Sequence, residues 1–318
     1  MSPASTEQFL LEQYTGHPAS QLQDLRKALY QSVFGCEHLI TDTSAAAEGI
    51  RREAAEAGPC SREIEALDGP WSRVQLGVLA DGLTPETLSR MFARSAAMSH
   101  GDADALQEKL TVLRRLIRSG ALPYSPAEAD AELDDWRKNG FPVCRHSEEY
   151  RAAYRPAYRV LHRTYVRLLP LLAAIDRALA ENPRVLLAIE GGAASGKSTL
   201  ADLLTAIYPD TALFHADDFF LRPEQRTAAR YAQPGGNLDR ERLESEILIP
   251  ISRNKAAVYR PFNCRTLSLR EPVTVLPGRL NIVEGSYSFH PELARYYDLS
   301  VFCLLYTSPS PRDGATSR

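Results

Sequence analysis

Twelve residues, from Ala188 to Thr199, constrain this chain more than any others. Within them Gly191-x4-Gly196-Lys197-Ser198 forms a complete phosphate-binding loop. The apolar run Val185-Leu186-Leu187-Ala188-Ile189 precedes it as a strand would, and Leu200, Leu203 and Leu204 follow at helical spacing. Each residue type has a physical reason to be there. Glycines let backbone N–H groups converge on phosphate oxygens, and the helix that follows points its positive end at the same anion. The whole stretch Gly191, Gly192, Ala193, Ala194, Ser195, Gly196, Lys197, Ser198 and Thr199 is therefore read as a nucleotide-binding loop. Lys197 supplies a point charge to the β and γ phosphates, and the Ser198 hydroxyl is suited to ligate Mg²⁺.

A loop between strand and helix demands an α/β sheet around it, and only part of the chain has that pattern. From about residue 183, short β-type runs at 185–189, 213–216, 280–283 and 299–305 alternate with helical segments, as in a parallel sheet with crossover helices. Residues 5 to 180 read differently. Leu22, Leu25, Leu29 and Val33 share a helical face, and Thr84-Pro85-Glu86 caps a helix carrying Leu88, Met91 and Phe92. Leu106, Leu110, Leu113 and Ile117 repeat at helical spacing before Gly120. Ser125-Pro126-Ala127-Glu128 opens a further helix, which Asn139-Gly140 closes. Nothing there alternates with period two for long. The expected organisation is an all-helical domain at 1–180, a P-loop core at 181–305, and a short tail at 306–318, with 318 residues ample for two cores.

Charge and composition exclude several classes. A net charge of −3 gives no reason to expect nucleic-acid binding, and five cysteines without Cys-x-x-Cys spacing point to reduced thiols in a cytoplasmic protein. The N-terminus has no basic start or apolar core of a signal peptide, and the longest apolar run, near 168–175, contains Pro170 and is too short to span a bilayer. The expected partner is a small-molecule substrate, with no nucleic acid and no membrane; homo-oligomer formation stays open.

Two acids fall where a phosphate site needs them. The strand at 212–216 ends in Asp217-Asp218-Phe219-Phe220, and the strand Leu280-Asn281-Ile282-Val283 ends in Glu284-Gly285. Ligands in open α/β sheets sit at the carboxyl ends of strands, so both acids face the loop. Other nucleotide-binding classes fit less well. Asn254-Lys255 continues as Ala256-Ala257 and not as a guanine-reading motif. Pro234-Gly235-Gly236-Asn237 is not a transporter signature, and Glu284-Gly285 is not the Asp-Glu of a AAA-type strand end.

Residues 183–302 resemble the uridine kinase/phosphoribulokinase family of P-loop kinases. The resemblance is carried by the loop, by Asp217 to Phe220, by Asn237-Leu238-Asp239, by Tyr259 to Arg265, and by Val283-Glu284-Gly285-Ser286-Tyr287. It implies ATP and Mg²⁺ as cofactors and transfer of the γ-phosphate to a hydroxyl of a nucleoside or sugar-like acceptor. It implies Asp217 as the base, with Asp218 its rival, and Lys197 as the catalytic cation. Glu284 joins Ser198 in the metal environment, while Asp239, Tyr259 and Arg265 lie near the acceptor. The alternative is an ATP-binding regulatory module without phosphotransfer; a nucleic-acid-linked ATPase is disfavoured by the charge. Family members continue past this point into an arginine-bearing lid. Here Pro309 and Pro311 stand in a tail that reads like adapter translation, so the expectation is a truncated, weak or inactive kinase.

Two features of the first half invite a function. Arg151, Arg155, Arg159, Arg163 and Arg167 recur every four residues beside Tyr150, Tyr154 and Tyr158, which predicts one helix with a solvated basic stripe, interrupted by Pro156. The alternative is a surface serving the nucleotide site. Cys36-Glu37-His38 and Cys144-Arg145-His146 carry zinc-type ligands, but the spacing is atypical and buried thiols are the preferred reading.

Overall fold

The computed structural model describes residues 3–36, 40, 42–58 and 60–304, with side chains from residue 6 on. It divides into two compact units between Asp176 and Arg177.

The first unit is built from helices α1 (Pro3–Gly16), α2 (Leu22–Phe34), α3 (Thr43–Ala57), α4 (Pro85–Ala97), α5 (Ala103–Arg118), α6 (Pro126–Lys138), α7 (Glu148–Tyr154) and α8 (Arg163–Val166), with α9 (Leu169–Glu181) crossing the dividing point. The expected caps are present. Thr84 Oγ1 accepts from Thr87 N–H, Ser125 Oγ accepts from Glu128 N–H, and Gly120 and Gly140 follow their helices at positive φ. Leu25, Leu29, Leu106, Leu110, Leu113 and Trp136 meet in one apolar core.

The unit is not all-helical. Strands β1 (Ile64–Ala66), β2 (Trp71–Gln75) and β3 (Tyr158–His162) form an antiparallel sheet in that order. Period-two patterning fails to reveal it because β2 is buried along nearly its whole length, Arg73 included. The arginine stripe is also corrected. Helix α7 stops at Tyr154, Arg155 turns left-handed at φ 43°, and Pro156 lets the chain re-enter as β3. Arg151 thus lies on a helix, Arg159 on a strand and Arg163 on α8, so they form no single face.

The second unit holds a four-stranded parallel sheet of order β11-β4-β10-β5: β4 (Val185–Gly191), β5 (Thr211–His215), β10 (Leu280–Glu284) and β11 (Leu299–Cys303). β11 ends at Cys303; Leu305 and the tail at 306–318 lie outside the described residues. The two central strands are apolar and buried because helices cover such sheets on both faces. Helix α10 (Lys197–Ile207) leaves the loop and seats Ala201, Leu204 and Ile207 in the interior. Between β5 and β10 lie β6 (Ala257–Tyr259), which pairs with β9 (Val273–Val275), and β7 (Phe262–Asn263), which pairs with β8 (Ser268–Leu269). A continuous helical stretch, Arg240–Leu243, Glu244–Leu248 and Ile249–Ser252, packs Leu243, Ile247 and Leu248 against Phe214 and Phe219. From β4 the chain moves to the β10/β5 side and later returns to β11 on the other, a reversal that opens a crevice at the strands' carboxyl ends.

Candidate nucleotide site at the carboxyl end of the parallel sheet

The parallel register places Ile189, His215 and Glu284 in one row, with Gly191 beside Cys303. The loop grows from that row. Gly191 takes φ 151° with the Cys303 carbonyl and Ser195 Oγ pressed where a side chain would stand, so no other residue fits there. Ala194 (φ 59°) and Gly196 (φ 88°) complete the turn, and Gly196 serves as N-cap of α10 without any side-chain cap. The first-turn N–H groups of Lys197, Ser198 and Thr199 have no partner inside the helix, as at every helix start, and face an anion naturally. Ser195 Oγ is buried and makes no hydrogen bond among the described residues. An orphaned hydroxyl in a ring of backbone donors fits a phosphate-sized ligand. The Lys197 ammonium donates to the Gly192 carbonyl at 2.8 Å, which holds it over the loop.

Glu284 ends β10 and is 6% exposed. Its Oε1 accepts from Ser198 Oγ at 3.2 Å and from His215 Nδ1 at 2.7 Å. The His215 hydrogen bond holds the Glu284 carboxyl below its usual range against the opposing effect of burial, with Ser198 and Lys197 adding to the pull. The same bond raises His215 above an ordinary histidine, helped by the charges of Asp218 and Asp217. His215 was missed in the sequence because no motif singles it out; only its register beside Glu284 gives it a role.

Asp217 and Asp218 lie in a short 3₁₀ turn, Ala216–Phe219, directly after β5. Asp217 is exposed at the mouth of the crevice, while Asp218 is partly buried. Burial pushes the Asp218 carboxyl up, opposed by His215 and by the guanidiniums of Arg270 and Arg242. Next to this turn a cavity of about 170 Å³ is bounded by Phe220, Leu221, Arg226, Asn237, Phe262 and Cys264. Phe220 and Phe262 meet edge to face at 6.5 Å, and the Arg226 guanidinium lies 5.7 Å from the Phe262 ring centre.

The acceptor-side residues named from the sequence have separate placements. Tyr259 is buried, stacks on Phe219 at 5.4 Å and is pushed up by burial and by Asp218. Asp239 is 1% exposed; Oδ1 caps the next helix through Arg242 N–H, and Oδ2 accepts from Gln225 Nε2 at 3.0 Å. Arg265 is exposed in the β7–β8 turn, its N–H bonded to Asn263 Oδ1. The structure brings Tyr259 to the Asp217–Asp218 turn, makes Asp239 a helix cap, and leaves Arg265 on the surface.

Of the zinc-type ligands named from the sequence, His146 is engaged elsewhere. His146 spends both ring nitrogens on Asp24 Oδ1 (2.8 Å) and Tyr158 OH (2.6 Å), and His38 lies outside the described residues. Among the described residues no three His, Cys, Asp or Glu side chains gather as a metal site, and no helix is long and apolar enough to cross a membrane.

A solved structure titled as a possible uridine kinase from Bacillus stearothermophilus is similar to this chain at 20% identity and a TM-score of 0.35, over 42% of this chain and 80% of that one. No family model and no curated protein matches. What is established is an α/β unit with a four-stranded parallel sheet and a glycine loop at its carboxyl edge. The functional reading rests on that site's own geometry.

Proposed function

We propose that the second unit is an ATP-dependent small-molecule kinase, transferring the γ-phosphate to a hydroxyl of a nucleoside or sugar-like acceptor. One observation carries the reading: the loop's cradle, the Ser198–Glu284 pair and the Asp217–Asp218 turn converge at one edge of the sheet. Lys197 and the first-turn N–H groups of α10 neutralise charge on the transferred group. Asp217, exposed at the carboxyl end of β5, orients the acceptor hydroxyl and takes its proton as that oxygen bonds to the γ-phosphorus and the bond to the β-bridging oxygen breaks. Ser198 Oγ and Glu284 Oε1 are hard oxygen donors 3.2 Å apart, the kind that hold Mg²⁺ while phosphates and water fill its remaining positions. When bound, that ion would spread the developing negative charge. The aromatic cavity beside Phe220 suits a flat, ring-bearing part of the acceptor.

The second reading is a module that binds ATP as a signal. It is favoured by Asp239, whose buried carboxylate already caps a helix and accepts from Gln225. Acceptor-dependent ADP release separates the two. A kinase releases ADP faster on addition of one compound from a panel of nucleosides, sugars and sugar phosphates. Saturable ATP binding with no acceptor-dependent release across that panel would overturn the kinase reading.

A further inference from the structure

The first unit contains a cavity of about 340 Å³ among α2, α3, α4 and β3, walled by Gln31, Cys36, Gly49, Phe92, Tyr158 and Arg159. Three separate features make it a built site. The first is how the space arises. Helix α3 presents Ala46 and Gly49, one turn apart, to the cavity. Among the described residues, a Cβ built on Gly49 meets no atom within 4 Å. Glycine inside a helix is unfavourable compared with alanine, and here its missing side chain leaves the cavity wall open.

The second feature is a polar wall fixed from behind. Tyr158 OH pairs with His146 Nε2 at 2.6 Å, and His146 Nδ1 pairs with Asp24 Oδ1 at 2.8 Å. Gln31 accepts from the buried Arg73 Nε at 2.8 Å and turns its amide N–H to Tyr158 OH at 3.3 Å. Side chains held this way lose little freedom when a ligand arrives, which favours binding.

The third is charge. Arg159 is the one charged residue among the described residues lining the cavity. Its NH1 donates to the Tyr158 carbonyl at 2.8 Å, and its guanidinium carbon lies 5.8 Å from the Phe92 ring centre. Its NH2 pairs with Glu53 at 2.7 Å, Arg159 being 16% and Glu53 37% exposed, so a ligand carboxylate would take the place of Glu53 on that nitrogen. With NH1 held by the Tyr158 carbonyl, the NH2 and Nε edge is the one that matches a ligand carboxylate's two oxygens once Glu53 gives way.

We propose that this cavity binds a flat, one- or two-ring carboxylate, its ring against Phe92 and Tyr158 and its carboxylate on Arg159. The size lies at the small end of ligand sites, and the walls combine aromatic faces with few, fixed polar groups. This site belongs to the first unit alone and is independent of the kinase reading.

Calorimetry on the full chain with benzoate and indole-3-carboxylate, each against its neutral carboxamide, is the test. At least one acid should bind saturably with Kd near or below about 1 mM, and its amide about tenfold more weakly. Gly49→Leu fills the space and adds a better helix former, so it should raise Tm while binding is lost. Arg159→Gln should weaken the acid about tenfold and leave the amide unchanged. No saturable binding of either acid, equal binding of acid and amide, or undiminished binding by a folded Gly49→Leu protein would each overturn the proposal.

Discussion

Both units bury charged side chains, but they differ in which polar groups they leave at the surface. In the first, Asp24, Arg73, Lys109 and Asp68 are buried and bonded to one another's surroundings. Asp24 alone accepts from His146, from Ser147 N–H and Oγ, and from Gln21 N–H. Lys109 joins Asp68 and Ser32, and Arg73 reaches Gln31, Gln13 and Glu65 through Nε and NH1, with NH2 unpaired among the described residues. In the second unit the loop, Asp217 and His215 stand at strand ends, partly open to solvent, with Ser195 Oγ left unpaired. Polar groups that satisfy each other inside a core fix one packing; polar groups left poised at an edge are available for chemistry. Substitutions in the two units should therefore separate cleanly into effects on stability and effects on turnover.

The largest effect belongs to the loop. Lys197→Ala should lower turnover by about 10³-fold, the scale of losing a preorganised charge at the transferred group, with Tm unchanged; steady-state kinetics beside a thermal melt checks both. Asp24→Ala should do the converse. Removing the hub of a buried, charge-assisted network should cost about 3 kcal/mol, read as a lower midpoint in urea, while turnover of the folded protein holds.

The buried His146 gives the contrast a pH dependence. Burial pushes it down to about 4, against the hydrogen bond to Asp24. Between about pH 6.5 and 4 the unfolded chain binds a proton that the folded chain refuses, so stability should fall as pH falls through that window. Asp24 and Glu65, both held below their usual range, add further loss at the acid end as they protonate. Urea midpoints from pH 7 to 4 should slope downward, and His146→Gln should flatten the slope between pH 6.5 and 5. The smallest effect falls at Arg155, whose left-handed φ of 43° suits glycine. Arg155→Gly should stabilise by about 0.5 to 1 kcal/mol and leave the KM for ATP unchanged, which a melt and a kinetic titration check together.

The same contrast explains what could be read in advance. The glycine loop was legible because a phosphate-binding motif needs consecutive residues, and β4 and α10 flank it as that motif predicts. Asp217 and Glu284 were legible as acids at the ends of apolar runs. His215 was not, since its part depends on the pairing Glu284↔His215 across the sheet. The β2–β3 pairing joins residues more than eighty positions apart, and Tyr158 and Arg159 carry a four-residue rhythm that reads as helix until Pro156 and the Arg155 turn override it. Asp239 reads from its motif as a ligand for hydroxyls; its cap on the helix that begins at Arg240 is a local role that the motif does not reveal.

The measurement that bears most directly on the account is Asp217→Asn, assayed for ATP affinity, turnover and Tm together. An exposed carboxylate at a strand end that acts as the base should keep ATP affinity and Tm and lose about 10²-fold or more in turnover. Turnover equal to the parent protein would remove Asp217 from the reaction, and a loss of Tm in step with turnover would make it another fold-supporting acid like Asp24.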